Sequence, residues 1–139
     1  MITPCNILSA RILIVDDQDV NVRLLQRLLA DAGYSQVSAT TLPAEVCALH
    51  RHHDYDLILL DLQMPGMDGL TALPRLRQLC PDAVIAAHSF DGEALERAMA
   101  LGADLSVAKG SGLEELLNAI AIGRETRRQL QSSEKNNAA

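Results

Sequence analysis

The chain has 139 residues, of which 48% are hydrophobic and only 2% aromatic, and its formal net charge is −6. This length fits one domain with a single core, and the shortage of aromatic residues means that aliphatic side chains fill that core. The negative charge disfavours direct binding to nucleic acid, whose phosphates require basic partners, and no apolar run reaches the ~18 residues that a membrane span needs.

The first predicted strand covers residues 11–15, RILIV, a short aliphatic run rich in β-branched residues. Such a run is typical of a strand that is buried on both faces of a sheet. A polar break, DDQD, follows it. Apolar residues then recur at helical spacing between Asp19, which suits an N-cap, and Gly33, which can end a helix. The chain therefore opens with a strand followed by a helix.

The same alternation continues along the chain. Short apolar runs predict four further strands, at residues 36–40, 57–60, 84–87 and 105–108. Helical spacing predicts four further helices, at residues 43–50, 69–79, 92–101 and 113–130. Pro74 must either lie in the first turn of its helix or produce a kink. Five strand–helix units in strict alternation predict an α/β fold in which helices cover both faces of a parallel sheet.

The last residues of the given sequence have a different residue pattern. Residues 131–139, QSSEKNNAA, lack apolar periodicity, and we expect this tail to be disordered. A basic cluster, Arg124, Arg127 and Arg128, lies shortly before the tail. Because cations near a helix C-terminus are favoured by the backbone dipole, we interpret this cluster as a solvated helix end rather than a binding patch.

Charged residues follow three of the predicted strands. Asp16 and Asp17 come directly after the first strand, Asp61 ends the third, and Lys109 follows the fifth. The carboxyl ends of parallel strands meet at one edge of a sheet, so we expect these groups to lie close together. Three carboxylates repel each other unless a cation joins them, and one lysine cannot neutralise them all. The all-oxygen ligand set therefore predicts a Mg²⁺ site whose water positions can admit a phosphoryl oxygen.

The sequence resembles the receiver domain of two-component response regulators over residues 9–122. The matching segments are ILIVDD at 12–17, LILLDLQMPGMDG at 57–69, GAD at 102–104 and VAK at 107–109. The resemblance implies a doubly wound, flavodoxin-like α/β fold, with a five-stranded parallel sheet of order 2-1-3-4-5 flanked by five helices. Residues 123–139 would then form a helix extension with a disordered tail or linker.

The resemblance also implies a role for each charged residue. Asp61 would be the phosphoacceptor, and Lys109 would contact Asp61 and later the phosphoryl group. Asp16, Asp17 and Asp61 would hold Mg²⁺ with help from the backbone carbonyl of Gln63. The phosphoryl donor would be a phosphohistidine on a sensor histidine kinase or phosphotransfer protein. Such a domain is not an enzyme in the usual sense, since it catalyses only its own phosphorylation and dephosphorylation.

The sequence departs from the family pattern at three positions. His88, followed by Ser89, stands where receivers generally have Thr or Ser at the end of the fourth strand, so either side chain, or neither, acts as the switch. Ser106 replaces the aromatic residue of the fifth strand, which predicts a muted or differently routed conformational change. Gly110 replaces the proline after the lysine. Because a cis bond before glycine costs about 2.5 to 4 kcal/mol, we expect a trans Lys109–Gly110 bond, or a rearranged loop if the cis geometry is kept.

Two alternatives are disfavoured, a transition-metal site and a phosphatase. Three histidines at positions 50, 52 and 53 lack the spacing of a zinc motif. A phosphatase of the haloacid-dehalogenase type would need Thr or Val at position 21, which is Asn. The stronger rival is an atypical receiver-like interaction module that binds partners independently of phosphorylation, and the three departures from the family pattern motivate it.

The partners follow from these two hypotheses. The output would pass to a downstream effector protein or to an output domain missing from this chain, and a homodimer is left open. We expect no direct nucleic-acid partner and no membrane partner. Three widely spaced cysteines outside any CxxC motif, Cys5, Cys47 and Cys80, fit reduced thiols and therefore a cytoplasmic protein.

Overall fold

The protein is described by a computed structural model that covers residues 5–64 and 67–138. Five strands form one sheet, and they are β1 (Arg11–Val15), β2 (Gln36–Thr40), β3 (Leu57–Asp61), β4 (Ile85–Ser89) and β5 (Leu105–Ala108). Neighbouring strands are parallel throughout, in the order β2-β1-β3-β4-β5. The predicted α/β fold with strand order 2-1-3-4-5 is confirmed.

Five helices flank the sheet, and they are α1 (Asp19–Asp31), α2 (Val46–His53), α3 (Gly69–Leu79), α4 (Gly92–Leu101) and α5 (Leu113–Ala138). A one-turn helix, Cys5–Leu8, precedes β1, and a short antiparallel pair, Gln63–Met64 with Met67–Asp68, lies between β3 and α3. Pro74 lies inside α3 and not in its first turn. Within the two described ranges, no helix has both the length and the apolar character of a membrane span.

The buried side chains of the sheet alternate between two apolar layers, as the pleat of a strand requires. On one face, β-strand residues such as Ile58 pack with residues of α2, α3 and α4. On the other face, residues such as Leu59 pack with residues of α1 and α5. Because β3 is central and covered on both faces, all five of its residues are buried, including Asp61 at its end. The buried strand β3 therefore places the Asp61 carboxylate at the carboxyl edge of the sheet.

The last helix is longer than the sequence predicts. It continues to Ala138, so residues 131–138 are helical where we expected a disordered tail. Polar contacts hold the preceding turns and the first residue of this part to the body of the domain: Arg124 donates to Asp56 at 3.2 Å, and Gln131 donates to Asp54 at 3.0 Å. These partners come from distant segments, so apolar periodicity could not reveal them. The division of the chain at residue 122 stays a prediction.

Arg127 corrects the interpretation of the basic cluster. Its side chain is 4% exposed, and its guanidinium pairs with Asp82 at 2.9 Å and also with Asp54. Arg128 instead is exposed, with Glu125 at 3.7 Å on the same helix. Arg128 is therefore solvated as expected, but α5 continues to Ala138, so neither residue lies at the helix end. The expected solvation is wrong for Arg127, which joins α5 to the loops that precede β3 and β4.

Candidate functional site

Three carboxylates meet at the carboxyl edge of the sheet. Asp16 and Asp17 follow β1, Asp61 ends β3, and these two strands are neighbours. One carboxylate oxygen of each residue lies within 4.8 Å of those of the other two. Asp16 and Asp61 are each 2% exposed, and Asp17 is half-buried. The structure thus brings together the acidic residues that the sequence placed at the strand ends.

The carboxylates are only partly satisfied by hydrogen bonds. Asp16 Oδ1 accepts from the backbone N–H of Gln18 at 2.9 Å, but Asp16 Oδ2 and Asp17 Oδ1 are buried and accept no hydrogen bond from the described residues. Burial raises the pKa of Asp16, and the nearby Asp61 carboxylate adds to that rise. Unpaired buried oxygens are costly. A hard cation that takes oxygen ligands, such as Mg²⁺, fits these two free acceptors.

Lys109 supplies the positive charge of the site. Its Nζ lies 2.9 Å from Asp61 Oδ1, and its side chain is 13% exposed. The backbone N–H of Lys109 donates to the carbonyl of Ser89 at 2.8 Å, which fixes the start of the β5–α5 loop beside β4. Three carboxylates facing one ammonium leave two negative charges uncompensated. The electrostatic balance therefore also favours a divalent cation.

Two neighbours of Asp61 shape the end of β3. The backbone N–H of Gln63 donates to Asp61 Oδ1 at 3.1 Å, while the Gln63 side chain is exposed. Gly69 begins α3 so close to this strand that a Cβ there would lie 2.6 Å from the Asp61 carbonyl oxygen and 2.8 Å from Leu62 Cα. The sequence analysis gave Gly69 no role of its own. The signal that could have identified it is the glycine directly after Met67 and Asp68. The metal-binding role of the Gln63 carbonyl stays a prediction.

His88 and Ser89 occupy different environments. His88 pairs in register with Asp61 and is 9% exposed. Burial, together with the Lys109 ammonium, lowers the pKa of His88 to about 4, so its ring is neutral at pH 7. Ser89 is fully buried, and its hydroxyl accepts from the backbone N–H of Asp91 at 3.0 Å, just before α4. Within the described residues, neither side chain hydrogen-bonds to the Asp61 carboxylate, and the choice of switch residue stays open.

Gly110 sits in a tight turn after β5. The N–H of Ser111 donates to the carbonyl of Ala108 at 3.4 Å, and Gly110 has φ +86°, which fits the third position of a type II turn. Only glycine takes that conformation without strain. No cis peptide bond occurs in residues 5–64 and 67–138, so the predicted trans Lys109–Gly110 bond is confirmed. Ser106 is exposed on β5.

Phe90 is a site neighbour that the sequence analysis missed. It follows β4 directly, is 73% exposed, and has its ring centroid 5.7 Å from Lys109 Nζ. A cavity of about 340 Å³ opens beside it, between α1 and the start of α5, and is lined in part by Leu24, Leu28, His88 and Leu116. The available signal was composition, since Phe90 is the single phenylalanine of the chain.

The histidines of α2 are distributed between core and surface. His50 is 3% exposed, its Nδ1 accepts from the backbone N–H of Tyr55 at 3.2 Å, and its Nε2 lies 3.7 Å from Asp82. Burial lowers the pKa of His50. His52 and His53 are exposed at the end of the helix. His50 is therefore a core histidine on the α2 side of the sheet.

Comparison with known proteins adds an independent observation. The family described as the response regulator receiver domain matches residues 12–121. The sensory/regulatory protein RpfC of Xanthomonas campestris pv. campestris is 34% identical over 128 residues, which cover 88% of this chain and 18% of that protein. The response regulator GacA of Pseudomonas aeruginosa is 35% identical over 113 residues, covering 79% and 53%. The chain therefore spans less than two thirds of either relative.

Solved structures agree with the overall fold. The crystal structure of the chemotaxis protein CheY4 from Vibrio cholerae matches with a TM-score of 0.69 at 26% identity, covering 81% of this chain and 97% of that chain. A CheY-like receiver domain protein from Methanospirillum hungatei matches with a TM-score of 0.73 at 24% identity, covering 87% and 98%. At that identity, the second match bears on the fold alone.

Proposed function

The chain belongs to the receiver domain family of two-component response regulators, and we propose that Asp61 accepts a phosphoryl group from a phosphohistidine on a sensor histidine kinase or phosphotransfer protein. The observation that carries this proposal is the meeting of Asp61 with Asp16, Asp17 and Lys109 at one sheet edge. A carboxylate nucleophile, a cluster of oxygen ligands and an ammonium are the groups that phosphoryl transfer requires.

The two oxygens of Asp61 have different surroundings. Oδ1 accepts hydrogen bonds from Lys109 Nζ at 2.9 Å and from the Gln63 backbone at 3.1 Å. Oδ2 is therefore the oxygen left to form the new bond to phosphorus. As that bond forms, the bond from phosphorus to the donor histidine nitrogen breaks, and the nitrogen keeps the electron pair. Lys109 stays beside the product and offsets part of its added negative charge.

The acidic cluster fits Mg²⁺. Asp16 Oδ2 and Asp17 Oδ1 are buried acceptors without donors among the described residues, and Asp61 and the Gln63 carbonyl complete the ligand set that we propose. Neutralisation of the transferred oxygens is the chemistry that Mg²⁺ supplies when bound. Without it, the acids of this cluster repel an incoming phosphoryl group, whose oxygens are also negative.

Labelling with acetyl phosphate tests this function. We expect intact mass spectrometry to show one added phosphoryl group on the wild-type chain in Mg²⁺, and none after chelation. Asp61→Asn should remove the label, whereas Asp31→Asn, an exposed acid of α1, should leave it unchanged. Labelling of Asp61→Asn at the wild-type level would overturn the assignment of the phosphoacceptor.

A second candidate function is an interaction module that works independently of phosphorylation. One observation favours it: Ser106 is exposed in place of an aromatic residue. Partner binding that is equally tight with and without beryllofluoride, a mimic of the phosphoryl group, would support this candidate. A change on adding beryllofluoride would support the phosphorylation-dependent function.

The output of the domain also belongs to this proposal. We propose that the phosphorylated chain acts on a downstream effector protein or an output domain, or through a homodimer. We further propose a cytoplasmic location, which the free and buried thiols of Cys47 and Cys80 support.

A further inference from the structure

Two cysteines lie side by side in the core, between two helices. Cys47 belongs to α2 and Cys80 directly follows the last residue of α3, and the two residues are 4% and 3% exposed. Both thiols donate to one acceptor, the carbonyl oxygen of Leu76, with sulfur-to-oxygen distances of 3.7 Å and 3.0 Å. The two sulfurs are therefore neighbours, although they come from different helices.

Both thiols are free, and neither takes part in the proposed phosphoryl transfer. Burial, together with the adjacent Cys47 thiol, raises the pKa of Cys80 to about 12, so Cys80 is protonated while the helix end stays packed. A protonated thiol is a poor nucleophile and resists oxidation. The packed domain therefore keeps this pair in its reduced form.

The position of Cys80 gives oxidants a route to it. Its neighbours in the chain, Leu79 and Pro81, are both exposed, and Leu79 is the last residue of α3. Helix ends open locally more readily than the rest of a fold. Opening at this end brings the Cys80 thiol into water, where its pKa returns toward the ordinary value and thiolate forms. When the helix end closes again, Cys80 returns to its place beside Cys47.

We propose that Cys47 and Cys80 form a reversible redox pair, in which a hydroperoxide such as hydrogen peroxide converts the two thiols to a disulfide between α2 and the end of α3. This inference goes beyond the proposed function and does not depend on the role of Asp61. Disulfides of cytoplasmic proteins are usually transient and redox-sensing, so a reversible pair agrees with the proposed location.

Two steps form the disulfide. The Cys80 thiolate attacks one oxygen of hydrogen peroxide, the O–O bond breaks, and the products are a sulfenic acid on Cys80 and hydroxide. The Cys47 sulfur then attacks the sulfenic sulfur, the S–O bond breaks, and the leaving hydroxide takes the proton of the Cys47 thiol to become water. The two sulfurs together lose two electrons, which the peroxide gains. A dithiol reverses the reaction by thiol–disulfide exchange.

The disulfide would close a covalent loop that contains the phosphoacceptor strand. Residues 47–80 include β3 with Asp61 and the whole of α3, which begins at Gly69. A cross-link of this kind stabilises a fold mainly by restricting the unfolded chain. We therefore expect the oxidised domain to unfold at a temperature several degrees higher than the reduced domain. Amide hydrogens at the end of α3 should also exchange more slowly.

Peptide mapping of the peroxide-treated chain tests this inference. Because the chain has three cysteines, Cys5→Ser leaves only the proposed pair. Trypsin places the two remaining cysteines in separate peptides, residues 28–51 and 78–97. After overnight exposure of the folded chain to peroxide, we expect its mass to fall by two hydrogen atoms and the two peptides to be joined. Dithiothreitol should restore both thiols.

Cys47→Ala in the same background is the matched control. It leaves Cys80 without a partner, so peroxide should add oxygen to Cys80 and should not raise the unfolding temperature. The inference is overturned if both thiols of the parent chain remain open to alkylation after unfolding, if they gain oxygen without being joined, or if the disulfide joins two chains. Alkylation of the folded, reduced chain tests the route: Cys80 should react before Cys47, and the reverse order would contradict opening at the end of α3.

Discussion

The Lys109 ammonium lies 2.9 Å from Asp61 Oδ1, although 48 residues separate the two in the chain. Their strands are not neighbours, since β4 lies between β3 and β5. The bond from the Lys109 N–H to the Ser89 carbonyl, at 2.8 Å, holds the lysine backbone beside β4 while its side chain spans to β3. Both side chains are largely buried, so charge at this edge affects both the stability and the reactivity of the domain.

Replacing Asp16 should separate stability from metal binding. In the presence of chelator, Asp16→Asn is expected to raise the free energy of unfolding by about 1 kcal/mol, because it removes a buried charge next to Asp61. The amide oxygen can still accept from Gln18. In Mg²⁺ the variant should lose most of the stabilisation that the wild type gains. Urea unfolding measures both quantities, and full Mg²⁺ stabilisation of the variant would contradict the proposed ligand set.

Acid should destabilise the fold through His88. Its pKa is lowered from 6.5 to about 4 in the folded chain, so the unfolded chain binds a proton that the folded chain does not. The free energy of unfolding should therefore fall as the pH falls from about 6.5 to about 4, by at most about 3 kcal/mol in chelator. The pKa of His50 is also lowered and acts in the same direction. The difference between wild type and His88→Gln isolates His88, and identical pH slopes would refute its contribution.

Two glycines should respond oppositely to alanine. A Cβ at Gly123 would lie 2.7 Å from the Asp56 carbonyl oxygen, so Gly123→Ala is expected to destabilise by about 1 to 3 kcal/mol despite its better helix propensity. A Cβ at Gly92 would meet nothing within 4 Å, so Gly92→Ala should be neutral or stabilise by up to about 1 kcal/mol. The stability of the two variants can be compared by thermal unfolding. Equal effects would mean that close packing of α5 on β3 is not what requires Gly123.

Replacing Arg127 should lower the free energy of unfolding far more than replacing its neighbour Arg128. Arg127→Met removes a buried guanidinium that bridges Asp54 and Asp82, and we expect a loss of about 2 kcal/mol because both acids keep partial access to water. Hydrogen exchange should quicken at the end of α5. Arg128→Met, at an exposed site, is the control and should change little. Labelling of Asp61 should persist in both variants, since this cluster lies at the opposite edge of the sheet.

Much of the fold could be predicted because its central strands are covered on both faces. All five residues of β3 are buried, and a strand covered on both faces consists mainly of apolar residues. The segment LILL, followed by Asp61, can therefore be recognised as a strand from the sequence alone. The parallel arrangement then follows from alternation with helices. The tail after residue 130 could not be predicted in this way, because Asp54 and Asp56, which accept from Gln131 and Arg124, are remote in sequence.

The sequence by itself determined which charged residues stand at the ends of the strands, and parallel topology is enough to place Asp16, Asp17, Asp61 and Lys109 at one edge. The tertiary structure alone decided which of their oxygens lack donors, that Arg127 is buried, and that Phe90 lies beside both Lys109 and an apolar cavity. The physical reason is the separation along the chain of the residues that set each property. Backbone periodicity and strand ends are local properties of the chain, whereas burial and side-chain contacts depend on segments that meet only after folding.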